Sequence, residues 1–328
     1  MKRLSEPSLS PSLWISLARS LRAQQWTKNL LIFVPLLTSH RIVEPEVAIH
    51  GLLMFLAFNL ASSAAYIAND LLDREADRQH PQKRLRPFAS GDAAVWSGLV
   101  AAPILLLAAL AISLALPPGA LLVLAAYGTL SLCYSLFLKQ RVLLDVFALS
   151  VLYTLRIVAG HESTGVVYSA WLLSFSMFIF LSLALAKRVS ELHNLRDRGL
   201  QAADHSESRG ERRLDGAIQR ERFRFAVGRG YHTGDLEQLN AFGVSSGFIA
   251  ALVLALYINS SAVVPLYSRP LLLWLLCPMI LYWICRIWIL ASRGEMKEDP
   301  IAFAVRDGQT YLIGVVGLAV LVLAARSS

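Results

Sequence analysis

The chain has 328 residues, 55% of them hydrophobic and 16% charged, with a mean hydropathy of +0.52. Soluble domains carry about 25% charged residues, so this balance excludes an ordinary soluble globular protein and points to an integral membrane protein. The formal net charge of +8 comes without basic–aromatic interleaving, which argues against nucleic acid and for anionic headgroups or phosphorylated substrates as partners.

The first dozen residues are polar and carry no signal-peptide pattern. Residues 12–28 set Leu13, Ile15, Leu17 and Leu21 among Arg19 and Arg22, the pattern of an interfacial helix, and the bilayer is entered near Trp26. Apolar runs follow at 29–38, 47–68, 93–116, 119–138, 142–160, 168–186, 241–264, 270–291 and 308–325. At about 1.5 Å per residue most of them reach across a hydrocarbon core of roughly 30 Å. The expected fold is therefore all-α and membrane-embedded, a bundle of about nine transmembrane helices of which the first is short. Pro117-Pro118-Gly119 and His161 to Val167 read as tight turns, and 191–235 as a large loop with a short surface helix around Leu214 to Phe225. No internal repeat divides the chain. It is read as an N-terminal interfacial segment, 1–25, followed by one transmembrane domain, 26–328.

Threading these runs alternately through a bilayer puts Lys and Arg overwhelmingly on one side. Of the 31, only Arg41, Arg269 and Arg326 fall on the other side, and Arg156 and Arg286 within spans. The positive-inside rule then places the N-terminus and every long connection in the cytoplasm. Cys133, Cys277 and Cys285 lie in apolar runs without metal-ligand spacing and read as small buried hydrophobes.

Chemistry concentrates where the second span ends. Asn69-Asp70-Leu71-Leu72-Asp73-Arg74-Glu75-Ala76-Asp77 sets acids against a long apolar run, which is costly near lipid unless a partner is present. If the helix continues, Asn69, Asp73 and Asp77 recur at i, i+4 and i+8, with Asp70 on the same side. Three carboxylates and an amide oxygen converging at a helix end form a hard site suited to Mg²⁺, commonly completed by substrate phosphates. The competing interpretation is a solvated helix end with Asp73 and Asp77 paired to Arg74 or Arg78. After a 20-residue apolar span the metal is favoured. Lys83, Arg84 and Arg86 follow at once and are candidate phosphate ligands, Arg as a planar fork and Lys as a point charge; at least one of them serves only to orient the loop.

The motif resembles the first signature of the UbiA superfamily of intramembrane prenyltransferases, Asn-Asp-x-x-Asp-x-x-x-Asp, and matches it completely. The resemblance covers the chain from about Ser20 to Leu323. It implies a nine-helix bundle around a central cavity open to the cytoplasm and laterally to lipid. Aromatic-acceptor members carry a second Asp-rich motif after the sixth span; here Lys187-Arg188-Val189-Ser190-Glu191-Leu192 stands instead. Either Lys187 pairs with Glu191 along the helix, or Lys187 and Arg188 bind a further phosphate while Glu191 orients Lys187 or a metal-bound water. Together with Gln25 to Asn29, Leu144 to Phe147, Leu155 to Gly160 and Asp299 to Ala304, this is similar to the decaprenyl-phosphate phosphoribosyltransferase branch. Such enzymes move phosphoribose from phosphoribosyl diphosphate to a polyprenyl phosphate, and the resemblance implies a prokaryotic inner membrane with the site facing the cytoplasm.

The remaining candidates divide between anchoring and chemistry. Lys28, beside Trp26, is an interfacial anchor or, as the resemblance implies, a ligand of the lipid phosphate. Tyr66, one turn before Asp70, is an anchor or a donor to a substrate oxygen. Arg156 lies deep in a span and must face protein or water, lining the cavity or bonding structurally; Asp145 on the same helix is about 16 Å away, too far to pair with it. Arg286 and His161 receive no role. Two rival functions stand beside phosphoribosyl transfer: ordinary prenyl transfer from a prenyl diphosphate, and a transporter or lipid-binding protein whose acids form an ion site.

Overall fold

The computed structural model describes residues 13–79, 83–208, 230–261, 263–296, 303 and 307–325. Among them there is no strand, and eight helices are long and apolar enough to cross a membrane. A short helix α1 (Leu13–Ser20) precedes a 3₁₀ segment, Ala23–Phe33, that runs on as α2 (Val34–Thr38). The interfacial helix expected over 12–28 thus breaks early: Arg22 is left-handed (φ 51°, ψ 50°). The run expected as a short first span, 29–38, falls in this 3₁₀-plus-α segment, which is not among those eight helices. At about 2.0 Å per 3₁₀ residue and 1.5 Å per α residue, its 11 and five residues reach roughly 30 Å.

Helix α3 (Pro45–Leu72) starts with Pro45 at its first position and is 28 residues long, about 42 Å. That exceeds the hydrocarbon thickness, so its last turns, which carry Asn69 and Asp70, project beyond the apolar layer. Asp73 caps it, and α4 (Arg74–Gln79) continues nearly in line, because Asp73 N–H donates to Asn69 O (2.9 Å) and Asp77 N–H to Asp73 O (2.8 Å). The short α5 (Pro87–Ser90) leads to α6 (Val95–Ser113) and α7 (Pro118–Leu136).

Next come α8 (Leu144–Thr164) and α9 (Ala170–Ser208). The turn expected from His161 starts later, since α8 keeps its ladder until Gly165 adopts φ 65°. Helix α9 continues through 191–208, so the first part of the stretch expected as a large loop is a helical extension of the sixth span. The helix expected around Leu214 to Phe225 lies outside the described residues, as do most of Asp299 to Ala304. The chain closes with α10 (Leu236–Ile258), α11 (Leu276–Ser292, led in by a 3₁₀ turn from Pro270) and α12 (Gly308–Ala325).

Of the four hydrophobic cores among the described residues, the two largest share α8. Met54, Ala57, Phe58 and Ala61 of α3 pack with Leu124 and Tyr127 of α7 and Leu152 and Ala159 of α8. On the other side Tyr153 and Ile157 of α8 join Leu185 and Val189 of α9, Ala250 of α10 and Ile287 and Trp288 of α11. Lipid offers no hydrophobic drive between helices, so close backbone approach through small residues carries the packing. A methyl on Gly160 would lie 2.1 Å from the carbonyl oxygen of Ile32, so α8 and the 3₁₀ segment touch backbone to backbone. Ser182 ties three helices, donating to Gly243 O (2.7 Å) and accepting from Trp288 Nε1 (3.0 Å). Leu99, Ile104 and Leu107 of α6 and Leu312, Val315 and Leu318 of α12 are exposed, as a lipid-facing surface requires.

Candidate functional site

The near-continuous helix through Asp73 stacks Asp70, Asp73 and Asp77 at one end of the bundle, and each carboxylate meets a cation of the chain. Asp70, 1% exposed, accepts from Arg22 Nη2 at 2.6 and 2.8 Å and from Arg86 Nη1 at 3.1 Å. Asp77, 3% exposed, accepts from the same Arg86 nitrogen at 2.6 Å. Asp73 pairs separately with Lys139 Nζ, at 2.8 and 2.9 Å. The expected convergence of three carboxylates is therefore two plus one, and their partners are not Arg74 or Arg78: Arg78 binds Glu75 instead (3.0 Å). Asn69 is half-buried.

Among the described residues no group of three or more His, Cys, Asp or Glu is arranged to hold a metal ion. The donors themselves fit a hard divalent cation, being oxygen throughout. Arg86 Nη1, set between Asp70 and Asp77, is a stand-in cation that marks where both carboxylates hold positive charge. Asn69, Asp70, Asp73 and Asp77 supply the oxygen donors that such a cation could use.

Arg22 and Lys139 escaped the sequence reading. In sequence Arg22 reads as part of an interfacial helix and Lys139 as one of the inner-side charges. The signal available was balance: acids of this number near lipid need as many cations, and the neighbouring connections carry them. Arg22 also lies over the Tyr66 ring, 5.3 Å from its centroid, so Tyr66 supports the cation that grips Asp70. Lys83 and Arg84 are exposed beside the motif.

The middle of α9 differs from expectation. Arg188, a candidate phosphate ligand, has a side chain 2% exposed and is spent on two carboxylates: Asp145 Oδ2 at 2.7 Å and Glu191 Oε2 at 2.5 Å. Such a buried guanidinium, already paired twice, has no donor face to offer a substrate. Glu191 thus has Arg188 as a partner, three residues away, and Lys187 is half-buried. Tyr231 completes the cluster, donating to Asp145 Oδ1 and accepting from the Leu143 amide (2.9 Å). Burial, the hydrogen bond to Asp145 and its charge together push the Tyr231 phenol well above its ordinary range.

Deeper in the bundle, Arg156 is 4% exposed and has no carboxylate partner among the described residues. Its Nε donates to Asn29 Oδ1 (2.7 Å), its Nη1 to the Leu152 carbonyl and its Nη2 to Tyr127 Oη (3.3 Å). The guanidinium also lies over the rings of Tyr127 (4.9 Å) and Tyr153 (5.4 Å). Asn29 in turn donates to Asn59 Oδ1 (2.7 Å) and Ser62 Oγ (3.3 Å). Lys28, largely buried, stands 5.7 Å from the Tyr153 ring centroid. Arg156 and Lys28 therefore share the Tyr153 ring, and the Asn59 that Asn29 contacts lies 11 residues before Asp70, about 16 Å along α3. This separates them from the acidic motif. Of the two residues without a role, Arg286 forms a bidentate pair with Asp307 (2.7 and 2.8 Å), and His161 Nδ1 meets Val166 O at 3.0 Å.

Comparison with known proteins gives the family. The model of the UbiA prenyltransferase family matches residues 31–204. The nodulation protein NoeC of Azorhizobium caulinodans is 36% identical over 304 residues, covering 91% of this chain and 89% of that protein. The uncharacterized protein y4nM of Sinorhizobium fredii is 36% identical over 95% of this chain, which spans only 55% of that longer relative. The decaprenyl-phosphate phosphoribosyltransferase of Mycobacterium tuberculosis is 34% identical over 186 residues, 56% of this chain and 62% of the enzyme. Among solved structures, a UbiA homolog from Archaeoglobus fulgidus bound to DMAPP and Mg²⁺ superposes with a TM-score of 0.66, covering 94% of this chain and 99% of that one at 15% identity. A family model spanning more than half of the residues, a relative matched along nearly its whole length and a shared helical membrane fold meet on one conclusion: the chain belongs to the UbiA prenyltransferase family.

Proposed function

We propose that the chain transfers the 5-phosphoribosyl group of phosphoribosyl diphosphate to a polyprenyl phosphate of the decaprenyl type, releasing diphosphate, with Mg²⁺ as cofactor. The observation that carries this reading is the charge pattern at the motif: three carboxylates matched by Arg22, Arg86 and Lys139, with Lys83 and Arg84 exposed beside them. A donor with more phosphate needs more positive charge, and Lys187 adds a half-buried cation where the resemblance leads one to expect acids after the sixth span. The partial likeness to the mycobacterial phosphoribosyltransferase supports the same choice.

In this reading an oxygen of the lipid phosphate attacks the anomeric carbon, and the bond from that carbon to diphosphate breaks with both electrons leaving on diphosphate. The attacking oxygen is already anionic, so no side chain has to remove a proton. Bound Mg²⁺ supplies charge neutralisation for the leaving diphosphate. Asn69, Asp70, Asp73 and Asp77 would hold that ion; Arg22, Lys83, Arg86, Lys139 and Lys187 would bind phosphate oxygens and keep the donor aligned. Lys28 and Arg156, deeper in the bundle, line the path of the lipid. The site faces the cytoplasm from a prokaryotic plasma membrane.

Purified protein given phosphoribosyl diphosphate, polyprenyl phosphate and Mg²⁺ is expected to release diphosphate and form a phosphoribosyl lipid detectable by mass spectrometry. The second reading is prenyl transfer from a polyprenyl diphosphate to an aromatic or other acceptor, favoured by the family's name and by the DMAPP-bound homolog. A prenylated acceptor with no phosphoribosyl lipid would overturn the first reading in favour of the second.

A further inference from the structure

We propose that Arg156 and Asn59, joined through Asn29, form a binding site for a phosphate monoester in the interior of the bundle, separate from the acidic motif. The inference deepens the phosphoribosyl-transfer reading and rests on it for the source of the monoester. Two sources present the same terminal group: the head of the polyprenyl phosphate and the 5-phosphate of the donor.

The argument starts from the direction of the hydrogen bonds. A guanidinium only donates, so Asn29 turns its carbonyl oxygen to Arg156 Nε (2.7 Å) and its amide nitrogen to Asn59 Oδ1 (2.7 Å) and Ser62 Oγ (3.3 Å). That fixes Asn59 as well: its oxygen faces Asn29, and its amide nitrogen points elsewhere. Asn59 is 2% exposed, and Nδ2 is buried without a hydrogen-bond partner among the described residues. Arg156 spends one hydrogen of each terminal nitrogen on a neutral oxygen, the Leu152 carbonyl and Tyr127 Oη, and each of these nitrogens carries a second. The network therefore runs out in donors around a full positive charge. Buried donors without an acceptor are rare in native structures and mark the place of a water, an ion or a ligand.

Charge selects among these. The elements packed around α8 supply no acid at this level. Ala23–Phe33 and α7 contain neither Asp nor Glu, and α9 has none before Glu191. On α3 the acid nearest to Asn59 in sequence is Asp70, 11 residues on. On α8 itself Asp145 is engaged by Arg188 and Tyr231, and Glu162 by the Tyr168 hydroxyl (2.6 Å). Lys28 brings a second cation to the Tyr153 ring that Arg156 also meets. A water would satisfy the amide and leave the charge uncompensated; a phosphate monoester does both, taking the guanidinium as a fork and the Asn59 amide as a further donor.

Calorimetry on the whole chain in detergent, without Mg²⁺, tests the proposal with farnesyl phosphate against farnesol and with ribose 5-phosphate against ribose. At least one of the two monoesters is expected to bind tenfold or more tightly than its uncharged counterpart. A preference in the farnesyl pair assigns the site to the lipid head, and one in the ribose pair to the 5-phosphate of the donor. Asn59→Asp keeps the oxygen that Asn29 bonds and sets a carboxylate in place of the orphaned amide. It is expected to weaken the preferred monoester at least tenfold while melting no lower than wild type, because the network gains an anion of its own. Arg156→Lys, which keeps the charge and loses the fork, is expected to weaken the same monoester several-fold and covers the case in which Asn59→Asp does not fold. No preference for either monoester, or equal monoester affinity in wild type and variants, overturns the site. A protein that shows the preference but forms no phosphoribosyl lipid keeps the site and loses the transfer reading; one that forms the lipid without the preference keeps the reading and loses the site.

Discussion

Arg188 and Asp145 meet at 2.7 Å between the middle of α9 and the first turn of α8, with side chains 2% and 0% exposed. Removing one member of a buried pair strands the other charge, at a cost of about 3–5 kcal/mol, whereas apolar replacement of both is often neutral. Asp145→Asn and Arg188→Met should each lower the melting temperature in detergent strongly. The double variant Asp145→Leu/Arg188→Met should recover much of that loss. If Arg188 instead bound phosphate, the single variant would weaken donor binding and leave melting unchanged.

Asp73 and Lys139 form a partly exposed pair, with side chains 29% and 23% exposed, so the contact contributes about 1 kcal/mol or less to stability. Asp73→Asn should therefore melt close to wild type yet lose turnover by about 10²–10³-fold, the usual cost of removing one group that stabilises developing charge. Melting curves and diphosphate release measured on the same preparation separate the two effects.

The backbone contact at Gly160 leaves no room for a side chain. Gly160→Ala would press a methyl to 2.1 Å from the Ile32 carbonyl oxygen, and backbone yields less readily than a side-chain tip. A loss of about 1–3 kcal/mol, or failure to accumulate folded protein, is expected. Gly128→Ala, where nothing lies within 4 Å, should be neutral or slightly stabilising, since alanine favours helix. Thermal melting of the two variants side by side is the check.

Asp307 caps α12, accepting from the amide of Thr310 (2.8 Å) and its hydroxyl (2.7 Å) as well as from Arg286. Partial burial alone would raise its carboxyl, but the hydrogen bonds from Arg286 and Thr310 and the guanidinium charge outweigh it and hold the group below the usual carboxylate range. A lowered folded-state pKa means stabilisation that is present above the unfolded value and lost as pH falls through the folded one. Melting temperature should therefore drop more steeply for wild type than for Asp307→Asn as the buffer is taken below the usual carboxylate range. Parallel curves for the two would refute the assignment.

The helices were legible because each is an apolar run of spanning length, and the acidic motif was legible because its residues are neighbours in sequence. Partnerships were not. Arg22 reaches Asp70 across 48 positions, Lys139 reaches Asp73 across 66 and Tyr231 reaches Asp145 across 86; no periodicity encodes such pairings. The same limit hid the use of Arg188, whose role as an ion-pair partner depends on a carboxylate in another helix. The extension of α9 through 191–208 was missed for a different reason: its polar composition suits a loop in water as well as a helix end, and local pattern alone does not decide between them.

The 3₁₀ winding of Ala23–Phe33 has its own consequence. With three residues per turn, Trp26, Asn29 and Ile32 fall in a single file. Trp26 donates to Ser63 (3.1 Å), Asn29 bonds Asn59 and Arg156, and Ile32 presents its backbone to Gly160. The segment behaves as a ratchet with three columns of teeth. One residue more or less advances it by a third of a revolution and brings Lys28 or Leu30 to the place where Asn29 meets Arg156. Substitutions there alter one tooth at a time, but a change of length misaligns the whole column, so this stretch tolerates drift in composition far better than drift in length.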